Sequence, residues 1–424
     1  MGHWKLVKLA GVALAALAAA ACGAGAGPVE VNSTEALKAA LMRARPGQRI
    51  LLAGGVYKGG LWVGKVRGKP GAMIEVAAKN PADPPIFRGG RMGFEMADCS
   101  YVRLRGLVTE QAELNNLQFW RSHHIVIQDC VSRSIKGKGN CDGIKLTAVT
   151  DFLVYNCTVT EWGAEGSGID MVGCGRGLIA KSKFSYPKLT GETANAVQPK
   201  CGAHDIGVYR CRFDDASLRA VQFGGGIGDG RINRYDYTGK LKETGYSGID
   251  QVAMGNVIVS GGAGVTYASV ARCAFEYNTI VNPTRYVLRI LFEGGAEPTA
   301  EGSFARNLIV HGKLISVANV GPRTKPKTFR FAENFWFNRL APGKSIPKLP
   351  ADEKSPAGGK DPKLDKTHKP APDSPAKGYG AHAAGLEKAW AGHTDKFKWA
   401  WQQARRIEKA TATRPAATTR PAGR

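Results

Sequence analysis

The chain has 424 residues, a formal net charge of +24 and a pI of about 9.7. A positive field of this size favours an anionic partner such as a nucleic acid, an anionic lipid or an acidic polysaccharide, although it can also serve solubility alone. The sequence has no Gly-rich phosphate loop ending in Gly-Lys-Ser/Thr and no Cys-x-x-Cys spacing, which excludes the P-loop and zinc-finger classes.

The first residues have the pattern of an export signal. Lys5 and Lys8 precede an apolar run over 9–21, and small residues lead into Cys22. This pattern predicts a cleaved signal over 1–22 and not a membrane span. We therefore expect a protein of the periplasm, the cell surface or the extracellular space. The stretch AAAAC resembles a bacterial lipoprotein cleavage box, which implies lipidation of Cys22 and outer-membrane anchoring; the alternative is a released protein.

A short helix is predicted next. Asn32 is the expected N-cap, with Glu35 as its capping-box partner. Leu37 and Leu41 then lie on one apolar face, and Pro46-Gly47 ends the helix. We expect this helix to cover the open first coil of the structure that follows, because an open sheet edge promotes aggregation.

A repeat dominates the middle of the chain. Small polar or thiol residues recur in short apolar strands at steps of 27, 25, 29, 45, 22, 29 and 27 residues. These positions are Cys130, Cys157, Ser182, Cys211, Asn256, Asn278, Asn307 and Asn334. A period of this length in strand-forming sequence is typical of a solenoid. The predicted fold is all-β, a single-stranded right-handed parallel β-helix with an N-terminal capping helix, in which equivalent side chains stack about 4.8 Å apart.

The predicted domain boundaries follow from the repeat and from composition. The β-helix domain covers 30–385 and includes a Pro- and Lys-rich closing segment from about 341 onward. Residues 386–424 form a short helix around Trp390, Trp399 and Trp401 and a disordered basic tail that repeats TRPA. Among the eight cysteines after Cys22 we expect mostly buried free thiols, since only ladder neighbours such as Cys130 and Cys157 would be close enough to bridge.

The second strand of successive coils predicts a polar patch. In DGIKL, SGIDM, NAVQPK, RAVQF and AGVTY, alternation places Ile144, Ile169, Val197, Val221 and Val265 inside. The outward residues are then Lys145, Asp170, Gln198, Gln222 and Thr266, stacked in register, with Lys200 on the same face. Such a patch suits a charged sugar polymer, and it equally suits a solvated β-helix surface.

The longest step in the repeat contains an excursion over 226–248. It carries cations and aromatic rings, among them Arg231, Arg234 and Tyr235. Long ordered loops on a regular scaffold are often functional. We therefore consider these residues substrate-binding candidates, with a solvated loop as the alternative.

Two stretches carry a resemblance to a known family. PGQRILLAGGVY, after the first helix, resembles the opening of the pectate-lyase-like β-helix superfamily. NAVQPKCGAHDIGVYRCRF is similar to the lysine-bearing coil of the chondroitinase B and alginate lyase family. The resemblance implies β-elimination, with Lys200 as the base that removes the proton α to a uronate carboxylate. The family's arginine would fall near Gly224, and the nearest arginine, Arg219, becomes the auxiliary cation.

The same resemblance leaves the cofactor open. The family's calcium-binding glutamates just before the lysine are absent, since Asn195 stands there and only Glu192 is close. No cofactor is implied with certainty, and Ca²⁺ stays an alternative. A lysine base must be neutral, so its pKa must fall well below the usual value of about 10.4. Lys145 and Arg219 would lower that pKa and Asp170 would raise it.

Two other functions stay open. NCDGI is similar to the opening motif of polygalacturonases, with Asp142 and Asp170 as a carboxyl pair, which inverting hydrolysis needs at about 6.5–9.5 Å. That family's Asp-Asp, Gly-His-Gly and Arg-Ile-Lys motifs are missing. A non-catalytic carbohydrate-binding scaffold is the third interpretation. We predict a monomeric, exported polysaccharide lyase that acts on an acidic polysaccharide and has no nucleic-acid partner.

Overall fold

The computed structural model of the protein describes residues 27–186, 194–216, 218–226, 233–235, 241–243, 245–293 and 297–413. For 233–235 and 241–243 only the backbone is described. The predicted export signal with Cys22, and Arg231 in the excursion, lie outside the described residues. In the described part of the chain, no helix combines the length and the hydrophobicity needed to cross a membrane.

All but two of the described strands form three parallel sheets, and the chain visits sheet 1, sheet 2 and sheet 3 in turn before starting the next coil. Sheet 1 contains the strands Val29–Val31, Arg49–Leu52, Ile74–Ala78, Ser100–Arg105, His123–Gln128, Thr150–Tyr155, Gly175–Ala180, Ala203–Tyr209, Gly248–Ile249, Val252–Met254, Val270–Ala271, Ala274–Glu276, Ser303–Ala305, Arg330–Ala332 and Glu353–Lys354. Sheet 2 contains Gly55–Lys58, Pro85–Arg88, Val108–Glu110, Val131–Arg133, Thr158–Thr160, Lys183–Ser185, Arg212–Asp214, Val257–Val259, Thr279–Val281, Leu308–His311, Phe335–Asn338 and Ala357–Gly358. Sheet 3 contains Leu61–Gly64, Met92–Ala97, Asn115–Trp120, Ile144–Thr147, Ser167–Val172, Asn195–Lys200, Arg219–Gly224, Ala263–Ala268, Tyr286–Leu291 and Ala318–Val320.

This topology confirms the predicted parallel β-helix. Each coil buries its inward side chains against the next coil, so one continuous apolar core runs along the axis. The predicted inward residues Ile144, Ile169, Val197, Val221 and Val265 are all fully buried. Aromatic rings stack between coils in the same core, as in the pair Phe184 and Phe213 with ring centroids 4.9 Å apart.

The predicted Cys/Ser/Asn ladder exists, but it was placed wrongly within strands. Its members lie in the bend between sheet 1 and sheet 2, as Cys130 lies between His123–Gln128 and Val131–Arg133. The residue before each ladder position has a left-handed backbone, as Asp129 has with φ of 53°. That conformation ends the sheet 1 strand and turns the chain, and an apolar pattern alone does not reveal it.

The asparagine part of the ladder is a chain of side chain to backbone hydrogen bonds. The amide N–H of Asn256 donates to Asn278 Oδ1 at 3.0 Å, that of Asn278 to Asn307 Oδ1 at 2.9 Å, and that of Asn307 to Asn334 Oδ1 at 2.9 Å. The chain of hydrogen bonds ends at Glu353, whose Oε1 accepts from the backbone N–H of Asn334 at 3.0 Å. These bonds satisfy buried N–H groups that the bend removes from the sheets.

The step of 45 residues contains one coil and an excursion, as predicted. Ala203–Tyr209 pairs directly with Val252–Met254, so no further coil is inserted between them. Within the excursion, the described strands Asn233–Tyr235 and Leu241–Glu243 form an antiparallel pair.

Helix α1, Thr34–Arg43, lies at the start of the coil stack and buries Leu37 and Leu41. Its N-cap is Ser33 and not the predicted Asn32, because the Ser33 side chain accepts the hydrogen bond from Ala36 N at 3.1 Å. The capping residue therefore lies one position later than predicted, directly before the first helical residue.

The C-terminal part packs on the outside of the stack. The closing segment contacts sheet 2, where Ala381 N donates to Thr279 Oγ1 at 3.0 Å. Helices α2, Leu386–Ala391, and α3, Lys398–Ala412, cover apolar residues on the outer face of sheet 1. Four short 3-10 helices complete the described chain, at Pro326–Thr328, Pro342–Lys344, Gly380–His382 and Thr394–Phe397.

No disulfide joins the eight cysteines of the described residues, and all but Cys201 are buried. Burial raises the pKa of the Cys99 thiol to about 11 and that of Cys174 to about 12. Thiols held in this way are unreactive at neutral pH.

Candidate functional site

Sheet 3 carries a continuous row of outward side chains, which we call the polar row. Parallel pairing places one residue of each coil beside its equivalent in the next. In order, the members are Trp62, Glu95, Gln118, Lys145, Asp170, Gln198, Gln222, Thr266, Arg289 and Asn319. The predicted register of Lys145, Asp170, Gln198, Gln222 and Thr266 is confirmed. With about 4.8 Å between coils, the row has the linear shape of an extended polymer.

In several coils a second residue contacts the polar row from three positions earlier. Asn115 Nδ2 donates to Gln118 Oε1 at 2.7 Å, and Asn195 Nδ2 donates to Gln198 Oε1 at 2.9 Å. Lys145 Nζ donates to Asp142 Oδ2 at 3.0 Å. The backbone between the two positions passes close to the next coil, since a Cβ added at Gly143 would lie 2.7 Å from Gly168 O. Glycine at 143 therefore permits this approach.

The centre of the row is a group of alternating charges. Lys145 Nζ contacts both Asp142 and Asp170, and Lys200 Nζ lies 3.2 Å from Asp170 Oδ1. The amines are partly accessible, with side-chain exposures of 19% for Lys145 and 16% for Lys200. The carboxylates beneath them are buried, with 2% for Asp142 and 0% for Asp170. At the centre of the row a ligand therefore meets these amines and not the two aspartates.

The pKa values of the two buried carboxyl groups are shifted in opposite directions. Burial would raise the pKa of Asp170, but the ammonium groups of Lys145 and Lys200 outweigh it and lower that pKa. Burial and the negative charge of Asp170 raise the pKa of Asp142. Burial alone would lower the pKa of Lys145, yet its two carboxylate partners raise it well above the usual value. Lys145 is thus held as an ammonium ion across the accessible pH range.

Gln198 connects Lys200 to the rest of the site. Its Oε1 accepts from Lys200 Nζ at 3.5 Å and from Ser167 Oγ at 3.3 Å, and its Nε2 donates to Gly224 O at 3.0 Å. The chain then leaves for the excursion through Gly225, whose φ is 111° and where an added Cβ would lie 2.6 Å from Gln198 Nε2. The excursion therefore departs beside the polar row, as predicted.

Arg219 points outward. One terminal nitrogen, Nη1, donates to Gln222 Oε1 at 2.7 Å, and the other, Nη2, lies 3.4 Å from Glu293 Oε1. Burial lowers the pKa of Arg219, and the positive charge of Arg285 acts in the same direction. The guanidinium thus belongs to the same face as Lys200, with Gln222 and Gln198 between them.

Sequence reasoning missed several residues of the site. Arg289 lies in the polar row two coils after Gln222, and strand alternation in YVLRIL could have shown it. Glu293, which also accepts from Gln222 Nε2 at 3.1 Å, follows the same strand and had no sequence signal. The candidates Arg234 and Tyr235 lie in the described strand Asn233–Tyr235, but their side chains, like Arg231, lie outside the described residues.

The acidic residues of the site do not fit a calcium ion. Asp142 and Asp170 both contact the amine of Lys145, and Asp170 also contacts Lys200, so a cation at these oxygens would have to displace an ammonium group. Elsewhere in the described residues, no group of three or more His, Cys, Asp or Glu could hold a metal ion. Lys145, Lys200 and Arg219 are therefore the cations that the site itself supplies.

Comparison with known proteins gives likenesses of fold. No family model matches the chain, and no curated protein sequence matches it. Among solved structures, an alginate lyase from Paenibacillus sp. str. FPU-7 is 16% identical, with 69% of this chain and 97% of that chain covered and a TM-score of 0.46. A mannuronic acid specific polysaccharide family 6 lyase from human gut microbiota is 14% identical over 91% of this chain and 100% of that chain, with a TM-score of 0.46.

A pectate lyase, Pel9A, is 14% identical over 69% of this chain and 73% of that chain, with a TM-score of 0.41. At such identities a shared fold does not determine the reaction, which has to be argued from the site.

Proposed function

We propose that the protein is a polysaccharide lyase that cleaves an acidic, uronate-containing polysaccharide by β-elimination. Lys200 is the base and Arg219 is the auxiliary cation. One observation carries the proposal: the accessible titratable groups in the middle of the polar row are amines, and the carboxylates lie buried beneath them. The polar row itself follows the length of the stack, as an extended sugar chain would.

These residues account for every bond and proton of the elimination step. The C5–H bond of the uronate breaks, its proton passes to Lys200 Nζ, and its electron pair forms the C4=C5 double bond while the C4–O bond breaks. The ammonium formed on Lys200 then returns a proton to the departing oxygen. Arg219 stabilises the negative charge that develops on the uronate carboxylate, because a guanidinium binds such a group through paired hydrogen bonds.

The contacts favour Lys200 over Lys145 as the base. Lys145 is bound to two carboxylates, which hold it protonated. Lys200 has one carboxylate partner, Asp170 at 3.2 Å, which Lys145 also contacts. Lys200 therefore has fewer ionic contacts to give up than Lys145 when it acts as a base.

A hydrolase is the second candidate, and one observation favours it. The pKa values of Asp142 and Asp170 shift apart, as those of an acid and a base do. However, an inverting hydrolase needs room for water between its carboxyls. Here one amine, that of Lys145, contacts both carboxylates, and neither is accessible. The geometry therefore supports elimination better than hydrolysis.

The test is an activity assay with matched lysine variants. Alginate, pectate and chondroitin sulfate are incubated with the protein, and the unsaturated product is followed by ultraviolet absorbance. Lys200→Ala should lower the rate by about 10³-fold, the usual contribution of a general base. Lys183→Ala is the control, since Lys183 is exposed on sheet 2, away from the polar row.

Each other outcome has a defined meaning. Reducing ends without absorbance would indicate hydrolysis. Retained binding with neither product would indicate a non-catalytic carbohydrate-binding protein. An active Lys200→Ala variant would show that another residue is the base.

We further propose that the protein acts outside the cytoplasm, where such polymers are found. The proposal is supported by the charged start, the apolar run and the small residues before Cys22. Mass spectrometry of the mature N-terminus tests it. A mature chain that begins at an acylated Cys22 supports anchoring, an unmodified start near this point supports release, and retained residues 1–22 contradict export.

A further inference from the structure

A cleft lies between helix α3 and the first coils of sheet 1, on a different sheet from the polar row. It consists of two adjoining cavities of about 1060 Å³ and about 520 Å³. Both are lined by Arg49, Glu75, Arg103 and Arg406. Cavities of this size hold drug-sized or larger ligands in other proteins.

The cleft exists because the outer row of sheet 1 changes character along the stack. Pairing places Arg49, Glu75 and Arg103 in one row, followed by Val126, Leu153 and Leu178. Helix α3 buries the apolar half of this row. The polar half adjoins the helix without being buried by it, so the boundary forms a groove with a basic floor.

The charges in this groove are not balanced. Glu75 accepts from Arg49 Nε and from Arg105 Nε, each at 3.0 Å. Within the described residues, no carboxylate lies within salt-bridge distance of Arg103 or Arg406. The Nε of Arg103 is buried and has no hydrogen-bond partner there. Burial lowers the pKa of Arg103, the negative charge of Glu75 opposes this shift, and the positive charges of Arg105 and Arg406 add to it.

Other lining groups suit a sugar. Tyr101 and Trp399 line the smaller cavity and Tyr155 the larger one, which provides ring faces for stacking. Gln128 also lines the larger cavity, and its buried Oε1 has no donor among the described residues. The Arg103 and Gln128 side chains thus line the same cavity, where a carboxylate of a ligand can pair with the guanidinium and a hydroxyl can bind the amide.

We propose that this cleft is a second, non-catalytic binding site for an acidic oligosaccharide. A carboxylate of the ligand lies between Arg103 and Arg406, a hydroxyl donates to Gln128, and a sugar ring packs on Trp399. This site does not depend on the function proposed for the polar row.

A titration experiment tests the site in the full chain. The Lys200→Ala variant prevents cleavage, and isothermal titration calorimetry then follows binding of a uronate trimer. On this background, Arg103→Gln with Arg406→Gln should weaken one class of site by at least about tenfold, the loss expected for charge-assisted hydrogen bonds. Lys409→Gln is the matched control, since Lys409 lies on the same helix, is exposed and lines neither cavity. It should leave binding unchanged.

The outcomes separate this proposal from the proposed function. If the polar row also binds the trimer, two classes of site are seen and the double variant removes one. If the polar row does not bind, one class is seen and the double variant removes it. A neutral glucose trimer should not bind to the cleft, and inorganic phosphate should bind much more weakly than the uronate.

Three results would overturn the proposal. These are uronate binding unchanged by both arginine substitutions, no uronate binding at all, and phosphate binding as tight as that of the trimer. The last would identify a simple oxyanion site. Thermal unfolding of each variant checks folding, and Arg406→Gln alone, at an exposed position on α3, keeps the test intact if Arg103→Gln does not fold.

Discussion

The outer faces of sheet 1 and sheet 3 have the same backbone and the same parallel register, yet they are used differently. On sheet 1, Val126, Leu153 and Leu178 form an apolar row that α2 and α3 bury. On sheet 3, the equivalent row is polar, and Lys145 and Lys200 retain contact with solvent. Because both sheets share this scaffold, the outward side chains decide whether a face is covered by the C-terminal helices or stays open to solvent as a candidate site.

The two faces also stabilise buried groups in different ways. On sheet 1, burial of apolar side chains stabilises the folded state by about 25 cal/mol for each Å² of apolar surface removed from water. On sheet 3 the buried Asp170 is tolerated because Lys145 from the preceding coil and Lys200 from the following coil contact it. A buried charge of this kind depends entirely on its partners. Four substitutions test this contrast, from the largest expected effect to the smallest.

Asp170→Ala should have the largest effect on stability. It leaves the ammonium groups of Lys145 and Lys200 without the carboxylate they share, and removal of one partner from a buried ion pair costs about 3–5 kcal/mol. The free energy of unfolding in urea measures this loss. Asp214→Ala is the control, because Asp214 pairs with Arg212 at 2.7 Å but is 44% exposed. It should cost less than about 1 kcal/mol. Equal losses for both variants would mean that the polar row is solvated like any other surface.

Leu153→Ala tests the covered face. Leu153 is fully buried beneath the C-terminal helices, so truncation should cost roughly 3 kcal/mol. Leu340→Ala is the matched control, because Leu340 is largely exposed and should lose little. If Leu153→Ala were as mild as Leu340→Ala in urea unfolding, the helices would not close sheet 1, and the cleft beside α3 would lose its wall.

The coil, its core and the polar row could be predicted from the sequence, because all three depend on strand alternation and on a repeat. The sequence was not sufficient for the ladder's location, since left-handed residues such as Asp129 and Asn156 end the strands without any glycine to mark them. The start of α1 was missed by one position for a similar reason. Asn32 and Ser33 are both good caps, and the sequence does not distinguish them.

The parts of the site that escaped prediction come from contacts between distant positions. Glu293 reaches Arg219 across 74 residues, and the length of the intervening coils is irregular. The outward direction of Arg219 depends on the local backbone course at the start of its strand, which alternation does not describe. The cleft at Arg103 depends on where α3 packs, and helix amphipathicity alone does not predict which coils it covers.

The pH dependence of stability tests the junction between sheet 1 and α3, through the titration of His123. Its Nδ1 lies 2.7 Å from Nδ1 of His124, whose ring packs against Trp399 of α3 at 4.9 Å. Burial, and next the charge of His124, lower the pKa of His123 to about 4. Below the usual pKa near 6.5, the unfolded chain binds a proton that the folded chain does not. Stability is therefore complete above pH 6.5 and falls as the pH drops toward 4, by about 2 kcal/mol for this partly buried group.

Free energies of unfolding at pH 7, 5.5 and 4 measure how steeply stability falls with pH, and His123→Phe should make this pH dependence weaker. The other charged groups that face His123 are Asp151, Arg67 and Arg176. Asp151 acts against the downward shift and the two arginines act with it. A slope that survives in His123→Phe would assign the acid sensitivity to other groups, such as His124, whose pKa burial also lowers. The lowered pKa of Asp170 affects stability only below about pH 4.

Ser182→Ala should have the smallest effect, and it separates both outer faces from the internal ladder. The Ser182 hydroxyl accepts from Cys157 N at 3.2 Å and donates to Ala180 O at 3.1 Å, and it is fully buried. Its loss leaves the Cys157 N–H unsatisfied, at a cost of about 1 kcal/mol. Ser182→Cys, which copies the neighbouring thiol positions, should recover part of that loss. An unchanged unfolding free energy in Ser182→Ala would show that the bend tolerates an unpaired N–H. The stability of the coil would then rest on the outward rows and the apolar core, without a contribution from this ladder position.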